Sequence, residues 1–336
     1  MAATGASAPL LEVRDLRVSF ATTDGRVTAV DGISFDIGRG ERLGVVGESG
    51  SGKSLTGLSL LGLTAGPGVQ VSGELVFDGH AYDLGTPAPQ ALRGREISMI
   101  FQEPMTALDP VFTVGAQIGA VIRHHRRVNK RAAKAAAIDA LRAVGIPDPV
   151  RRYDDYPHQM SGGMRQRAMI AMAIACEPKM IVADEPTTAL DVTTQAQILD
   201  LLRELSAERD MAILLISHDL GVIAESCERL VCVYAGQVVE RATTENALVR
   251  PRHPYLSGLL AAIPRAESRG SRLLAIPGTV PPPGHMPPGC RFAPRCAFAA
   301  SGCEAPQDMH PTATGGVRCH RHDELSLAGV LELERR

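Results

Sequence analysis

A glycine-rich segment near residue 50 constrains this chain more than any other feature of its sequence. Residues 47–54 read GESGSGKS and fit the pattern G-x-x-x-x-G-K-S/T. The segment follows a short apolar stretch, Arg42 to Val46, that predicts a buried strand, and it precedes a helical pattern over Leu55 to Leu63. A strand, a glycine-rich turn and a helix in this order form a loop that binds phosphate groups. The sequence therefore predicts an α/β protein with a P-loop NTPase core.

The residue types of this loop suit the binding of a nucleoside triphosphate. Glycines let consecutive backbone N–H groups turn inward around a phosphate, and the helix that follows adds its positive N-terminal end. Lys53 is predicted to place its charge between the β- and γ-phosphates, and the Ser54 hydroxyl to bind Mg²⁺. The predicted nucleotide-binding residues of the loop are Gly47, Glu48, Ser49, Gly50, Ser51, Gly52, Lys53 and Ser54.

Two adjacent carboxylates follow a second apolar stretch. Met180 to Ala183 predicts a buried strand, and Asp184 and Glu185 come directly after it. A lone acidic pair in this position is usually an ordinary turn, but here it accompanies a phosphate-binding loop. We therefore predict that Asp184 binds Mg²⁺ through its water shell and that Glu185 polarises the water that attacks the nucleotide.

A second phosphate-binding helix end is predicted at Ser161, Gly162 and Gly163, which directly precede a helical pattern. The chain has only one lysine-bearing loop, so this second site has no nucleotide of its own. The pattern makes sense if Ser161 to Gly163 complete the nucleotide site of another subunit.

The order of the remaining elements predicts how the chain is divided. Strands that alternate with helices indicate a layered α/β domain, which we place at residues 1–264. A helical period over about 103–161 predicts a helical subdomain inserted into it. The composition changes after about Pro264, and Pro277 to Pro288 contains six prolines. We predict a separate C-terminal extension at residues 265–336, too poor in apolar residues to fold by hydrophobic burial alone.

Composition and charge exclude several classes of protein. The 336 residues carry a net charge of −2, which does not favour binding to nucleic acid or another polyanion. The longest apolar run, Ala168 to Cys176, is far shorter than the roughly 20 residues of a membrane span. The N-terminus lacks the basic and apolar regions of a signal peptide. We therefore expect a cytoplasmic protein with no transmembrane segment.

The segment from Met160 to Arg167, MSGGMRQR, resembles the signature sequence of ATP-binding-cassette (ABC) ATPases. It differs only in Met160, where the family has leucine. The resemblance covers roughly Leu10 to Pro264 and implies that Ser161, Gly162, Gly163 and Gln166 contact ATP bound by a second subunit. It also implies the following roles: Phe20 stacks on adenine, Gln102 is the Q-loop glutamine that contacts Mg²⁺ and the transport partner, Asp191 belongs to the D-loop, and His218 is the switch histidine that holds the γ-phosphate.

Further segments resemble the ABC ATPases of dipeptide and oligopeptide importers. These are QEPMTALDP at 102–110, YPHQMSGG at 156–163, ADEPTTALDV at 183–192 and RHPY at 252–255. The resemblance implies a motor at the cytoplasmic face of the plasma membrane that works with two permease subunits, a second, non-identical ATPase and an extracytoplasmic substrate-binding protein. Nickel importers belong to the same subgroup, so nickel or another small solute is the alternative cargo. An ABC ATPase acting on nucleic acid or the ribosome is disfavoured, because the chain has one cassette and no heptad run between Lys53 and Ser161.

Four of the seven cysteines, Cys290, Cys296, Cys303 and Cys319, fall near the C-terminus with five, six and fifteen residues between them. The spacing lacks the C-x₂₋₄-C pairs usual in structural zinc sites, and four cysteines can also hold an iron–sulfur cluster. The importer subgroup carries a 4Fe–4S cluster on such a tail, which makes this the predicted cofactor, with Zn²⁺ as the alternative. His310, His320 and His322 keep a Cys₃His set open, and free thiols or disulfides are a third possibility.

Overall fold

The computed structural model describes residues 8–23, 25–64, 66–188, 190–263 and 275–329. These residues form two compact units. The first unit contains residues 37–42 and 89–216, and the second contains residues 8–36, 43–88 and the described residues from 217 onward. The phosphate-binding loop belongs to the second unit, whereas the acidic pair and the signature segment belong to the first.

Strands and helices alternate through most of the chain, as predicted. The strands are β1 (Leu11–Thr22), β2 (Gly25–Ile37), β3 (Arg42–Val46), β4 (Val69–Phe77), β5 (His80–Asp83), β6 (Ile97–Ile100), β7 (Met180–Asp184), β8 (Ala212–Ile216), β9 (Arg229–Tyr234), β10 (Gln237–Thr243), β11 (His310–Thr312) and β12 (Gly315–Val317). The α-helices are α1 (Lys53–Leu60), α2 (Pro104–Ala107), α3 (Val114–Arg126), α4 (Lys130–Ala143), α5 (Pro149–Arg152), α6 (Gly162–Ile174), α7 (Val192–Arg209), α8 (Leu220–Ser226), α9 (Thr244–Val249) and α10 (Pro254–Ala261).

In the second unit, β2, β1, β4 and β5 lie side by side in that order, and β4 pairs antiparallel with both β1 and β5. Elsewhere in this unit β3 pairs in parallel with β9, so that Val46 lies opposite Cys232. Strand β10 continues antiparallel to β9. The phosphate-binding loop therefore leaves a strand whose neighbour runs in the same direction.

In the first unit, β6, β7 and β8 form a parallel arrangement in which β7 pairs with both neighbours. Every residue of β7 and β8 is buried, as expected for strands covered on both faces. Because the strands are parallel, the residues that follow β6 and β7 meet at the same edge. Gln102 follows β6, and Glu185 follows β7, so the topology brings these two predicted site residues to one place.

Helices α2 to α6 occupy the chain between β6 and β7, and α2 to α5 fall within the stretch of about 103–161 predicted to be helical. The helical pattern in the middle of this stretch is divided between two helices, α3 and α4. Arg127 ends α3 in a left-handed conformation, with φ of 51°, and the Asn129 side chain caps α4 by accepting the Ala132 N–H. The helical period is interrupted here because Arg127 ends α3 and, two residues later, the Asn129 side chain caps the start of α4.

The C-terminal region contains short strands that the sequence pattern does not predict. Strand β12 pairs antiparallel with β10, where Glu240 lies opposite Val317, and β11 pairs with β12. Each strand has only three residues and contains proline or glycine, so neither shows a detectable alternation. The composition break near Pro264 thus gave no sign that residues 310–317 extend the β9–β10 hairpin.

Candidate nucleotide site

The phosphate-binding loop runs from the end of β3 to the start of α1, as predicted. Gly50 and Gly52 have positive φ, 77° and 100°, which glycine adopts without strain. Gly47 is fixed by lack of space, because a Cβ built on it would lie 2.2 Å from the Val233 carbonyl oxygen. The glycine spacing of this loop therefore follows from backbone conformation at two positions and from close packing at a third.

Lys53 and Ser51 have the properties expected of phosphate ligands. The Lys53 side chain is buried, and its Nζ donates to the carbonyl oxygens of Gly47, at 2.7 Å, and Glu48, at 3.0 Å. The Ser51 hydroxyl is buried and has no hydrogen-bond partner among the described residues. Buried hydroxyls are rarely left without a hydrogen-bond partner, so the Ser51 hydroxyl is suited to a hydrogen bond with a bound polar ligand. Ser54 is half-buried at the second position of α1.

The acidic pair forms a tight turn at the end of β7. Asp184 is only 5% exposed, and Glu185 has a left-handed backbone with φ of 45°. The Glu185 N–H donates to the Ile216 carbonyl at 2.9 Å. Its carboxylate Oε2 accepts one hydrogen bond from Gln102 Nε2, at 3.0 Å, and another from the Thr188 hydroxyl, at 2.9 Å. These contacts fix the orientation of the Glu185 carboxylate.

Thr188 is the residue of this turn that the sequence pattern did not identify. The sequence offered one signal, the position of Thr188 three residues after Glu185, a spacing that a turn can bring into contact. The structure has such a turn, in which the Thr188 N–H donates to the Glu185 carbonyl at 3.1 Å. Threonine is common in turns for many reasons, and the spacing alone therefore carried too little information.

The signature segment is joined to the acidic turn by a buried side chain. Ser161 caps α6, since its hydroxyl accepts the Met164 N–H at 3.3 Å. One turn later, Gln166 is 1% exposed, and its Nε2 donates to the Pro186 carbonyl at 2.5 Å. Gln166 therefore connects the signature helix to the residue that follows Glu185.

Asp191 caps α7 from the neighbouring segment. Its carboxylate accepts the Thr194 N–H, at 3.0 Å, and the Thr194 hydroxyl, at 2.7 Å, and these bonds lower the pKa of Asp191. Helices α6 and α7 approach closely at Gly163, where a Cβ would lie 2.9 Å from Thr194 Cγ2. Packing of α6 against α7 thus favours glycine at position 163.

The remaining predicted residues lie in the second unit with the phosphate-binding loop. Phe20 is half-buried on β1, opposite Val69 of β4. His218 is exposed in the turn between β8 and α8, directly before Asp219, which caps α8.

Comparison with known proteins supports the resemblance over most of the chain. Residues 30–188 match the family described as "ABC transporter", and residues 239–303 match "Oligopeptide/dipeptide transporter, C-terminal region". The oligopeptide transport ATP-binding protein OppD of Bacillus subtilis is 50% identical over 275 residues, which cover 81% of this chain and 77% of that protein. The chain belongs to the ABC transporter ATPases. It is an ABC ATPase with an oligopeptide/dipeptide transporter C-terminal region, and its activity is the hydrolysis of ATP coupled to transport.

Other relatives agree with this assignment. The dipeptide transport ATP-binding protein DppD of Haemophilus influenzae is 46% identical over 313 residues, covering 93% of this ABC ATPase and 95% of DppD. Among solved structures, cbiO1 from Clostridium perfringens, part of the ABC transporter complex cbiONQ, is 26% identical with a TM-score of 0.59. It covers 71% of this chain and 90% of its own. None of the helices in the described residues is long and apolar enough to cross a membrane.

The four C-terminal cysteines of this ABC ATPase line one small cavity, together with Phe292. Burial, with smaller contributions from the nearby thiols of Cys290, Cys303 and Cys319, raises the pKa of Cys296 to about 11. All seven cysteines are free thiols. Within the described residues, however, no three His, Cys, Asp or Glu side chains are close enough together to share a metal ion. The structure thus brings the four thiols to one cavity without placing them in a ligand geometry.

The packing at Gly47 leads to a testable prediction. We expect Gly47→Ala to weaken ATP binding about fivefold or more, because the added Cβ must displace the loop from the Val233 carbonyl, and overpacking of this kind costs about 1–3 kcal/mol. Equilibrium binding of a fluorescent ATP analogue measures the effect. Gly79→Ala is the matched control, since Gly79 also has a positive φ, but its Cβ would meet nothing within 4 Å. Equal affinities for Gly47→Ala and wild type would contradict the prediction.

Proposed function

We propose that this chain hydrolyses ATP to drive the import of dipeptides or oligopeptides through separate membrane permeases. The observation that carries the hydrolytic part is the orientation of Glu185 by Gln102 and Thr188, directly after the buried Asp184. A carboxylate fixed in this way can accept a hydrogen bond from water and align it for attack on a phosphate.

The other predicted site residues divide the remaining work in this proposal. Lys53 and the N–H groups of the loop bind the phosphates. Asp184 and Ser54 supply the oxygen donors that Mg²⁺ prefers, and they would hold the ion directly or through water, with Gln102 as a further oxygen donor. When bound, Mg²⁺ neutralises phosphate charge. We assign Phe20 to adenine and His218 to the γ-phosphate.

We expect Glu185→Gln to reduce kcat at least about 100-fold while ATP binds within a few-fold of wild type, because the amide retains the size but cannot accept a proton. Steady-state hydrolysis and nucleotide binding should be measured on the same preparation. Glu177→Gln is the control, since Glu177 is a surface glutamate in the same unit with a similar positive φ, 55°. Hydrolysis by Glu185→Gln at near the wild-type rate would show that another group activates the water.

We further propose that the signature segment acts on ATP held by a second cassette. Two of the described helix ends are suited to phosphate, at Lys53 and at Ser161, but the sequence has one glycine-rich phosphate-binding loop, the one that ends in Lys53 and Ser54. Ser161, Gly162 and Gly163 would contact the partner's nucleotide, with Gln166 and Asp191 supporting the helices on either side. The partner is a related, non-identical ATPase in this proposal.

The proposed division of labour follows the predicted domains. Residues 1–264 form the nucleotide-binding domain, in which residues from about 103 to 161 are the helical insertion. Gln102 and its neighbouring loop pass the closure of the cassettes to the permeases. Residues 265–336 form the extension characteristic of peptide importers. Nucleotide-dependent closure of two cassettes would bias the permeases between two states.

The cargo and location follow from the relatives. OppD and DppD are named as oligopeptide and dipeptide transport proteins, and this chain matches most of their length. We propose that the chain lies at the cytoplasmic face of the plasma membrane, bound to two permease subunits. An extracytoplasmic binding protein and the permeases would select the peptide, while this subunit supplies energy.

Deletion of the gene should abolish uptake of a labelled dipeptide or oligopeptide and leave nickel uptake unchanged. Complementation with wild type should restore uptake, and complementation with Glu185→Gln should not. Loss of nickel uptake with normal peptide uptake would instead identify the alternative cargo. That result would leave the ATPase assignment intact, because the nucleotide site does not contact cargo.

We also propose that Cys290, Cys296, Cys303 and Cys319 hold a 4Fe–4S cluster, with Zn²⁺ as the alternative. Support comes from their convergence on one cavity and from the chemistry of four thiolates, which suits either group. Small rearrangements of the surrounding loops would be needed to bring the sulfurs into ligand geometry. Metal binding would supply the ordering energy that a proline-rich region without a large core lacks.

Protein purified without oxygen should be brown and contain iron and sulfide in equal amounts. Cys303→Ser should lose the colour, and Cys176→Ser should keep it, because Cys176 lies outside the cavity and is similarly half-exposed. Removal of the metal should loosen residues from about Pro277 onward without abolishing ATP binding. Colourless protein with one equivalent of zinc would assign the site to Zn²⁺, and protein without either metal would contradict the proposal.

A further inference from the structure

Glu48, the second residue of the phosphate-binding loop, is held by an arginine from the C-terminal region. Arg295 Nη1 donates to Glu48 Oε2 at 2.7 Å, and Arg295 Nη2 donates to Glu48 Oε1 at 3.0 Å. Arg295 is buried, at 8% exposure, and the Glu48 side chain is partly buried. Two parallel bonds between a guanidinium and a carboxylate fix both the position and the orientation of the pair.

The backbone of Glu48 is held as well. Its N–H donates to the hydroxyl of Tyr255 at 2.8 Å, and Tyr255 is fully buried in α10. Helix α10 begins with the sequence His253-Pro254-Tyr255, in which His253 Nδ1 accepts the Tyr255 N–H at 3.1 Å. Burial lowers the pKa of His253 to about 3, so the ring is neutral and able to accept this bond. The His-Pro-Tyr segment therefore starts the helix that places a hydroxyl against the phosphate-binding loop.

Contacts other than the one with Glu48 also hold the Arg295 side chain in place. Its Nε donates to the Pro277 carbonyl at 2.9 Å, and its Nη1 also lies 3.3 Å from the Tyr234 hydroxyl. Phe292, three residues earlier, packs against the rings of Tyr234 and Tyr255, with centroids 5.2 and 5.4 Å away. Little side-chain freedom remains to be lost when the guanidinium binds the carboxylate.

The charge of Glu48 makes this contact important for nucleotide binding. ATP carries several negative charges, and a carboxylate within the loop that wraps its phosphates repels them. Arg295 neutralises that charge, and with Tyr255 it fixes the first turn of the loop. Both effects favour the bound nucleotide, and neither involves the water that attacks the phosphate.

We propose that Arg295, assisted by Tyr255, is a positioning residue through which the C-terminal region sets the affinity of the phosphate-binding loop for ATP. The inference rests on the proposed nucleotide site. It assigns a role in nucleotide binding to the His-Pro-Tyr segment and to the turn that contains Arg295.

The first test separates binding from chemistry. Arg295→Met removes the guanidinium and keeps the apolar stem, so the Kd and KM for ATP should rise about tenfold or more while kcat stays within about twofold. Arg229→Met is the matched control, because Arg229 pairs with Asp36 in the same unit and lies opposite Leu43, at the end of β3 away from the loop. ATP affinity equal to wild type in Arg295→Met would overturn the proposal.

The second test asks whether Arg295 acts through the charge of Glu48. Adding Glu48→Gln to Arg295→Met removes the unpaired carboxylate and should restore the Kd to within about threefold of wild type. A double variant as weak as Arg295→Met would overturn the proposed route. If Arg295→Met does not fold, Arg295→Lys and Tyr255→Phe replace it, each expected to weaken binding several-fold, and wild-type affinity in both would also overturn it.

These outcomes are distinct from failure of the proposed function. If wild type does not bind ATP, the nucleotide site itself is wrong. If wild type and Glu185→Gln bind ATP normally and Arg295→Met binds equally well, only the role of Arg295 is wrong.

Discussion

The phosphate-binding loop depends on its attachment to the hairpin formed by β9 and β10. The Gly236 N–H donates to the Ser51 carbonyl at 2.9 Å, and Gly47 lies so close to the Val233 carbonyl that no side chain fits. Ala235 and Gly236 both have positive φ, the combination required by a tight two-residue hairpin turn. The geometry of this hairpin therefore sets the geometry of the loop.

The same hairpin supports the C-terminal region. The Arg318 N–H donates to the Val239 carbonyl, and the Arg318 side chain donates to the Val238 carbonyl, both at 2.8–2.9 Å. On the same strand, the Glu240 carboxylate accepts hydrogen bonds from the backbone N–H groups of Arg252 and His253. Burial raises the pKa of Glu240 to about 7. Strand β10 thus positions both β12 and the start of α10.

The turn that contains Arg295 serves two sites. Arg295 directly precedes Cys296, so the cavity lined by cysteines and the residue that holds Glu48 share one short turn.

The acidic turn of the first unit obeys a different constraint. Glu185 is placed by the end of a buried parallel strand, but its carboxylate is oriented by Gln102 from the neighbouring strand end and by Thr188 from its own turn. Gln166 then connects this turn to the signature helix. A change in the signature helix can therefore reach the turn that carries Glu185 through one buried hydrogen bond.

The sequence alone determined the parts of this protein that depend on local order. The apolar stretches at β3 and β7, the glycine spacing around Lys53 and the serine cap of α6 are set by neighbouring residues, so their positions and the family could be predicted. The bonds among Gln102, Thr188 and Glu185 required the pairing of β6 with β7. The tertiary structure alone decided that Arg295 meets Glu48, because 247 positions separate them and no periodic pattern records a contact between two loops.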